Sequence, residues 1–117
     1  MADRDLPKDQ DATTTLADVK ALMEAFVAER DWERFHQPKN LASSIAIEAA
    51  ELMELFQWDG VEPPEAVRQD AAQMQRIREE LSDVFAYTLA MANRLGIDLS
   101  SALAAKMVMN RAKYPAD

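Results

Sequence analysis

Apolar positions recur every three or four residues through most of this chain, a period that predicts helices. Leu16, Val19, Met23, Phe26 and Val27 make the first stripe. Thr14 and Thr15 precede it as N-caps, with Asp18 in the first turn, so a helix is predicted from there to about residue 31. Residues 1–13 carry no stripe and are expected to be a flexible segment ahead of one domain over 14–117. Pro38 biases Gln37 away from helix, and residues 32–40 are predicted to be a loop or irregular turn. A second helix is expected over residues 41–57, closing near Gly60. Pro63 and Pro64 mark the clearest break. The polar stretch from residue 65 to residue 75 reads as a short separate helix or a link. From Ile77 the stripe is firm, through Leu81, Val84, Thr88, Met91 and Leu95, and it stops at Gly96. A last helix is expected from an Asp98 or Ser100 cap to about Lys113, with Leu99, Leu103 and Met107 on its inward arc.

Several polar residues interrupt these stripes. Glu48 falls in the middle of the stripe made by Leu41, Ile45, Leu52 and Leu55, and Glu51 lies one turn on, at its edge. A carboxylate aimed at a helical core is costly unless a cation or a donor meets it. Glu80 and Asp83 repeat the same spacing on a later helix, with Tyr87 four residues further. Lys106 and Asn110 share the arc of Leu103 and Met107.

Composition narrows the class. With two Gly, five Pro and 49% hydrophobic residues in 117, the chain is predicted to be all-α, with a modest core. The absence of Cys excludes a disulfide framework and a thiolate metal site. No apolar run is long enough for a bilayer, and residues 1–11 have no signal-peptide core, so a cytoplasmic protein with no membrane partner is expected. The net charge of −8 argues against a grip on nucleic-acid polymer. A phosphorylated small molecule remains compatible where divalent cations mediate the contact.

The two acidic pairs supply such cations with a place. On two antiparallel helices they face each other across the seam and repel unless cations sit among them. Hard oxygen ligands without sulfur suit Mg²⁺ or Mn²⁺. Mg²⁺ takes phosphate oxygens as further ligands, and with an inward Lys106 this describes a polyphosphate site. The chemistry implied is hydrolysis of a phosphoanhydride, with an additional carboxylate orienting or deprotonating water. Trp32, Phe35 and Trp58 are the residues to stack on or enclose a base. Bland alternatives stand beside this reading. Acidic pairs at this spacing are common on solvated faces, Lys106 can snorkel, Asn110 can cap backbone, and Tyr87 can simply pack. Glu24, Glu54 and Glu79 fall on outward arcs. A di-iron bundle expects Glu-x-x-His motifs, and the only His is His36, in a loop.

The pairs Glu48/Glu51 and Glu80/Asp83 resemble the signature of the MazG-like, all-α NTP pyrophosphatases. The run from Arg30 to Leu41, with Trp32, Phe35, His36 and Pro38, then Phe56, Gln57 and Trp58, and the closing stretch from Lys106 to Pro115 look like the dCTP pyrophosphatase branch. The resemblance extends from about Leu16 to Pro115. It implies a four-helix MazG-like bundle assembled as an oligomer, a tetramer in this branch or otherwise a dimer. It implies Mg²⁺-dependent hydrolysis of dCTP and 5-modified dCTP to monophosphate and pyrophosphate, which cleans the nucleotide pool. Glu48, Glu51, Glu80 and Asp83 match its metal ligands and catalytic carboxylates. Trp32, Glu33, Arg34, Phe35, His36, Trp58 and Tyr87 match its nucleotide pocket, beside Lys106 and Asn110. Met23 stands where animal members carry a pocket His, which bears on base preference. The competing expectations are a broader NTP or dUTP pyrophosphohydrolase and a non-catalytic nucleotide-binding helical protein.

Overall fold

The computed structural model describes residues 9–117, and the part of the expected flexible segment on residues 1–8 lies outside them. The described residues form five α-helices and one 3₁₀ turn, without strands. The helices are α1 (Leu16–Glu29), α2 (Pro38–Glu54), α3 (Pro64–Gln69), α4 (Ala71–Leu95) and α5 (Leu99–Lys113), with the 3₁₀ turn at Glu33–Phe35. The all-α expectation holds.

Helix starts follow local chemistry. Thr15 caps α1 in a capping box: Asp18 N donates to Thr15 Oγ1 at 3.1 Å, and Thr15 N donates to Asp18 Oδ2 at 2.9 Å. Asp70 caps α4 through Gln73 N at 3.0 Å, and Asp98 caps α5 through Ser101 N at 3.0 Å. Each such cap stabilises its helix by about 1 kcal/mol. The short polar helix expected ahead of Ile77 is α3, divided from α4 at Asp70. Two boundaries differ from expectation. Pro38 opens α2 instead of preceding it, because a first-turn proline lacks only an N–H that would have no helical partner. At the other end α2 stops at Glu54 and unwinds in tight turns through Asp59, well before Gly60.

The chain turns sharply at two left-handed residues. Gly96, with φ of 66°, ends α4 and lets α5 begin within three residues. Asp31, with φ of 55°, ends α1 in a Schellman arrangement: Trp32 N donates to Val27 O and Asp31 N to Ala28 O, both at 3.1 Å. That turn throws Trp32 back onto α1, where its ring meets Phe26 edge-on at 5.6 Å.

α2 packs along α4, antiparallel to it, and α1 lies against α4 beside it. Only Val27, Leu41, Leu89, Ala90 and Ala92 are buried among the described apolar residues. The expected stripe of α4 is only half covered: Ile77, Val84, Thr88 and Met91 are partly buried, but Leu81 and Leu95 are exposed. α5 makes little contact with the other helices. Its expected inward arc is largely open in the single chain: Leu103 is 61% exposed and Met107 and Lys106 are exposed, while Leu99 and Asn110 are half-buried. The radius of gyration, 16.7 Å, exceeds the roughly 13 Å of a compact domain of this length.

Candidate metal and nucleotide site

The α2–α4 seam brings acidic side chains together because both helices turn a seven-residue-spaced face toward each other. Glu48 of α2 and Glu80 and Asp83 of α4 place one carboxylate oxygen each within 4.8 Å of one another. Glu48 and Glu80 are half-buried and Asp83 is exposed. Oε2 of Glu48 and Oε2 of Glu80 are sealed from solvent and meet no protein donor. Among the described residues none of the three carboxylates enters an ion pair; the guanidinium groups of Arg30, Arg34 and Arg68 pair elsewhere. Glu51, exposed one turn along α2, adds its charge to the group.

The electrostatic strain is legible in the acid constants. Glu48 is pushed up to about 7, first by desolvation, then by its hydrogen bond and charge with Glu51, then by Asp83 and Glu80. Glu80 is raised too, by desolvation first and then by Glu51, Asp83 and Glu79. Orphaned carboxylate oxygens with only like charge around them fit a hard divalent cation, since a cation satisfies the oxygens and cancels the repulsion.

A cleft of about 560 Å³ opens beside these carboxylates, with Glu48 and Asp83 on its wall. α1 contributes Val19, Leu22, Met23 and Phe26, the turn after α1 contributes Trp32 and His36, and α4 contributes Ser82, Phe85, Ala86, Tyr87 and Leu89. Tyr87, Trp32 and His36 also line an adjoining hollow of about 250 Å³ with Phe35, Asn40, Leu41 and Ser44. The dimensions and the mixture of apolar wall and few polar groups suit a small organic ligand.

The sequence-derived candidates separate into three groups. Glu48, Glu80, Asp83, Trp32, His36 and Tyr87 surround the cleft, with Phe35 at its edge and Glu51 adjoining. Glu33 lies on the far side of His36, in a small hollow with Glu24, Asn93 and Arg94. Burial and then the charge of Arg94 lower the pKa of His36, against an opposing effect of Glu33. Arg34 is exposed, paired to Asp31 at 3.7 Å and lying 4.8 Å from the Phe35 ring centroid. Trp58, 88% exposed in the turns after α2, is not brought to the cleft by this single chain, and neither are Lys106 and Asn110 on α5. Periodicity also misassigned one wall. Val19, Met23 and Phe26 read as core stripe, but they line the cleft, because an apolar pattern does not distinguish a wall from a core.

Comparison with known proteins gives the family and agrees with the all-α fold. The model of the MazG-like family matches residues 43–117. The dCTP pyrophosphatase 1 of Homo sapiens is 48% identical over 106 residues, 87% of this chain. That of Bos taurus is 45% identical over 101 residues, 86% of this chain. The chain spans 60% of the length of either relative. The crystal structure of a pyrophosphatase from Archaeoglobus fulgidus DSM 4304 superposes with a TM-score of 0.77 at 35% identity, covering 86% of this chain and 93% of its own.

Proposed function

The chain belongs to the MazG-like family, and from that premise we propose that it is a Mg²⁺-dependent nucleoside triphosphate pyrophosphohydrolase. Its proposed substrates are dCTP and 5-modified dCTP, and its products the monophosphate and pyrophosphate. The observation that carries the reading is the pair of donorless, sealed oxygens of Glu48 and Glu80 beside Asp83, set at the wall of an aromatic cleft. The names of the relatives support the substrate class.

Glu48, Glu51, Glu80 and Asp83 would hold the cation. When bound, Mg²⁺ neutralises phosphate charge and lowers the pKa of water for attack on a phosphoanhydride. The remaining work falls to side chains. Trp32 and Tyr87 line the same cleft as Glu48 and Asp83, so in this reading a base lies against the rings while its phosphates lie at the carboxylates. The apolar wall from α1 keeps water from the base side. His36, whose pKa is lowered first by burial and then by Arg94, offers a hydrogen-bonding ring that lines both hollows. An additional carboxylate, beyond those that hold the cation, would orient or deprotonate water.

The active form in this reading is a homo-oligomer. An open chain with few buried apolar residues and an uncovered α5 supports that assembly, in which a second copy covers Leu103 and Met107 and supplies Lys106, Asn110 and Trp58 to the site. Nucleotide-pool cleaning suits a cytoplasmic protein, and no described helix is long and apolar enough to cross a membrane.

Incubation with each deoxy- and ribonucleoside triphosphate in Mg²⁺, with products resolved, tests the activity. The expected result is dCMP and pyrophosphate from dCTP. Preferred turnover of dUTP or of ribonucleotides would shift the reading to a broader pyrophosphohydrolase. Orthophosphate as the sole phosphorus product, or binding without turnover, would overturn it.

A further inference from the structure

We propose that Gln73, remote from the carboxylates, is a positioning residue that holds α2 and α4 in the one register at which the acidic cluster forms. The inference rests on the metal reading above. Gln73 is 9% exposed, and both ends of its amide are engaged. Its Nε2 donates to the carbonyl oxygen of Leu55 at 2.8 Å, and its Oε1 accepts from Arg76 Nε at 3.2 Å. Its backbone N–H is fixed to the Asp70 cap. The Leu55 carbonyl is available because α2 unwinds just there, the next turn closing on Phe56 O instead.

The spacing gives this bond its consequence. Gln73 precedes Glu80 by seven residues on α4, and Leu55, the C-cap of α2, follows Glu48 by seven residues. Seven residues are just under two turns, so each pair returns to the same helix face within about 20° and is separated by roughly 10.5 Å along the axis. The helices run antiparallel, so the Gln73–Leu55 bond and the Glu48–Glu80 approach are two rungs of one register. A slip of one helical turn moves the helices by about 5.4 Å and breaks both. The 4.8 Å cluster would then no longer exist. Repulsion among the carboxylates pushes toward such a slip, and nothing within the cluster resists it. The fixed points lie at the two ends: Leu41, 1% exposed near the start of α2, and Gln73 at its far end. An amide that donates to a backbone carbonyl is directional, so it sets a register where apolar contact alone tolerates sliding.

The test compares the whole chain with Gln73→Met, which removes the amide, and Gln73→Glu, which keeps an acceptor for Arg76 but removes the donor. Mn²⁺ binding to the substrate-free protein is measured by calorimetry, beside helix content, thermal midpoint and steady-state kinetics. Val27→Ala, a core change between α1 and α4, serves as the control for destabilisation alone. Both Gln73 variants are expected to keep their helix content and bind Mn²⁺ about tenfold or more weakly. Excess metal should restore their kcat, and their nucleotide KM at saturating metal should stay close to that of the unmodified chain. Val27→Ala should lower the thermal midpoint and leave Mn²⁺ affinity intact. Unchanged Mn²⁺ affinity in both Gln73 variants, or a loss no greater than in Val27→Ala, would overturn the positioning role while the metal reading stands. Failure of the unmodified chain to bind Mn²⁺ would overturn the metal reading and this role together.

Discussion

Glu48 and Glu80 meet across the α2–α4 seam with one carboxylate oxygen each sealed from solvent and facing no protein donor. Two neighbouring helices thus hold like charges together where a core would ordinarily exclude them, and the cost is visible in the raised pKa of both residues.

Replacing one charge of the acidic cluster should trade function for stability. Glu48→Gln and Asp83→Asn are expected to lower turnover of dCTP by about 100-fold or more, through lost cation binding. In metal-free buffer the same variants should melt at a higher temperature than the unmodified chain, because one repelling charge is gone. Paired activity assays and thermal melts check both directions. A wild-type rate with either variant would remove that residue from the metal site.

The pH dependence of the metal-free protein has a definite sign. Glu48 titrates near 4.5 when unfolded and near 7 when folded, so between those values the folded state holds more protons. Stability should therefore fall as pH rises from about 4.5 to about 7, and level off above. Glu80 is shifted the same way. Asp98, whose pKa is lowered first by its hydrogen bonds to Ser101, acts oppositely and only in more acidic solution, where stability falls as pH drops through its folded pKa. Melts in EDTA across this range should show the decline. Added Mg²⁺ should stabilise most at the alkaline end, where the carboxylates no longer hold protons.

The base side and the metal side of the cleft should separate by mutation. Trp32→Ala removes the ring that the Asp31 turn folds against Phe26. Loss of a base-stacking ring is expected to raise KM for dCTP by about tenfold. Mn²⁺ affinity of the free protein should remain as it was. A fall in Mn²⁺ affinity of similar size would show that Trp32 supports the fold of the acidic seam instead.

Assembly should depend on the uncovered face of α5. Leu103 and Met107, one turn apart on that face, are 61% and 37% exposed in the single chain. Glutamate at both positions places charge in the expected contact and should shift light-scattering mass from oligomer toward monomer, with activity falling alongside. Retention of the parent mass would place the contact between copies elsewhere.

The helices, and the acidic pairs set into them, were legible from the chain alone. Caps at Thr15 and Asp98, the stop at Gly96 and the period of the stripes are local, because helix hydrogen bonds close within four residues. The acidic pairs were legible for the same reason: a charge inside an apolar stripe is anomalous at the level of one helix. The MazG-like resemblance read from those residues holds. Tertiary structure decided which polar groups meet. That Glu48 faces Glu80 and Asp83, while Lys106, Asn110 and Trp58 stand away from them in the single chain, depends on how helices distant in sequence are docked. It also decided that the stripe of α1 is a cleft wall and that the face of α5 lies open, since an apolar side chain carries no record of what covers it. Gln73 shows the limit most clearly. Its neighbours in sequence mark only an ordinary polar turn of helix, and its bond to Leu55 exists only because α2 unwinds at that point and α4 runs back alongside it.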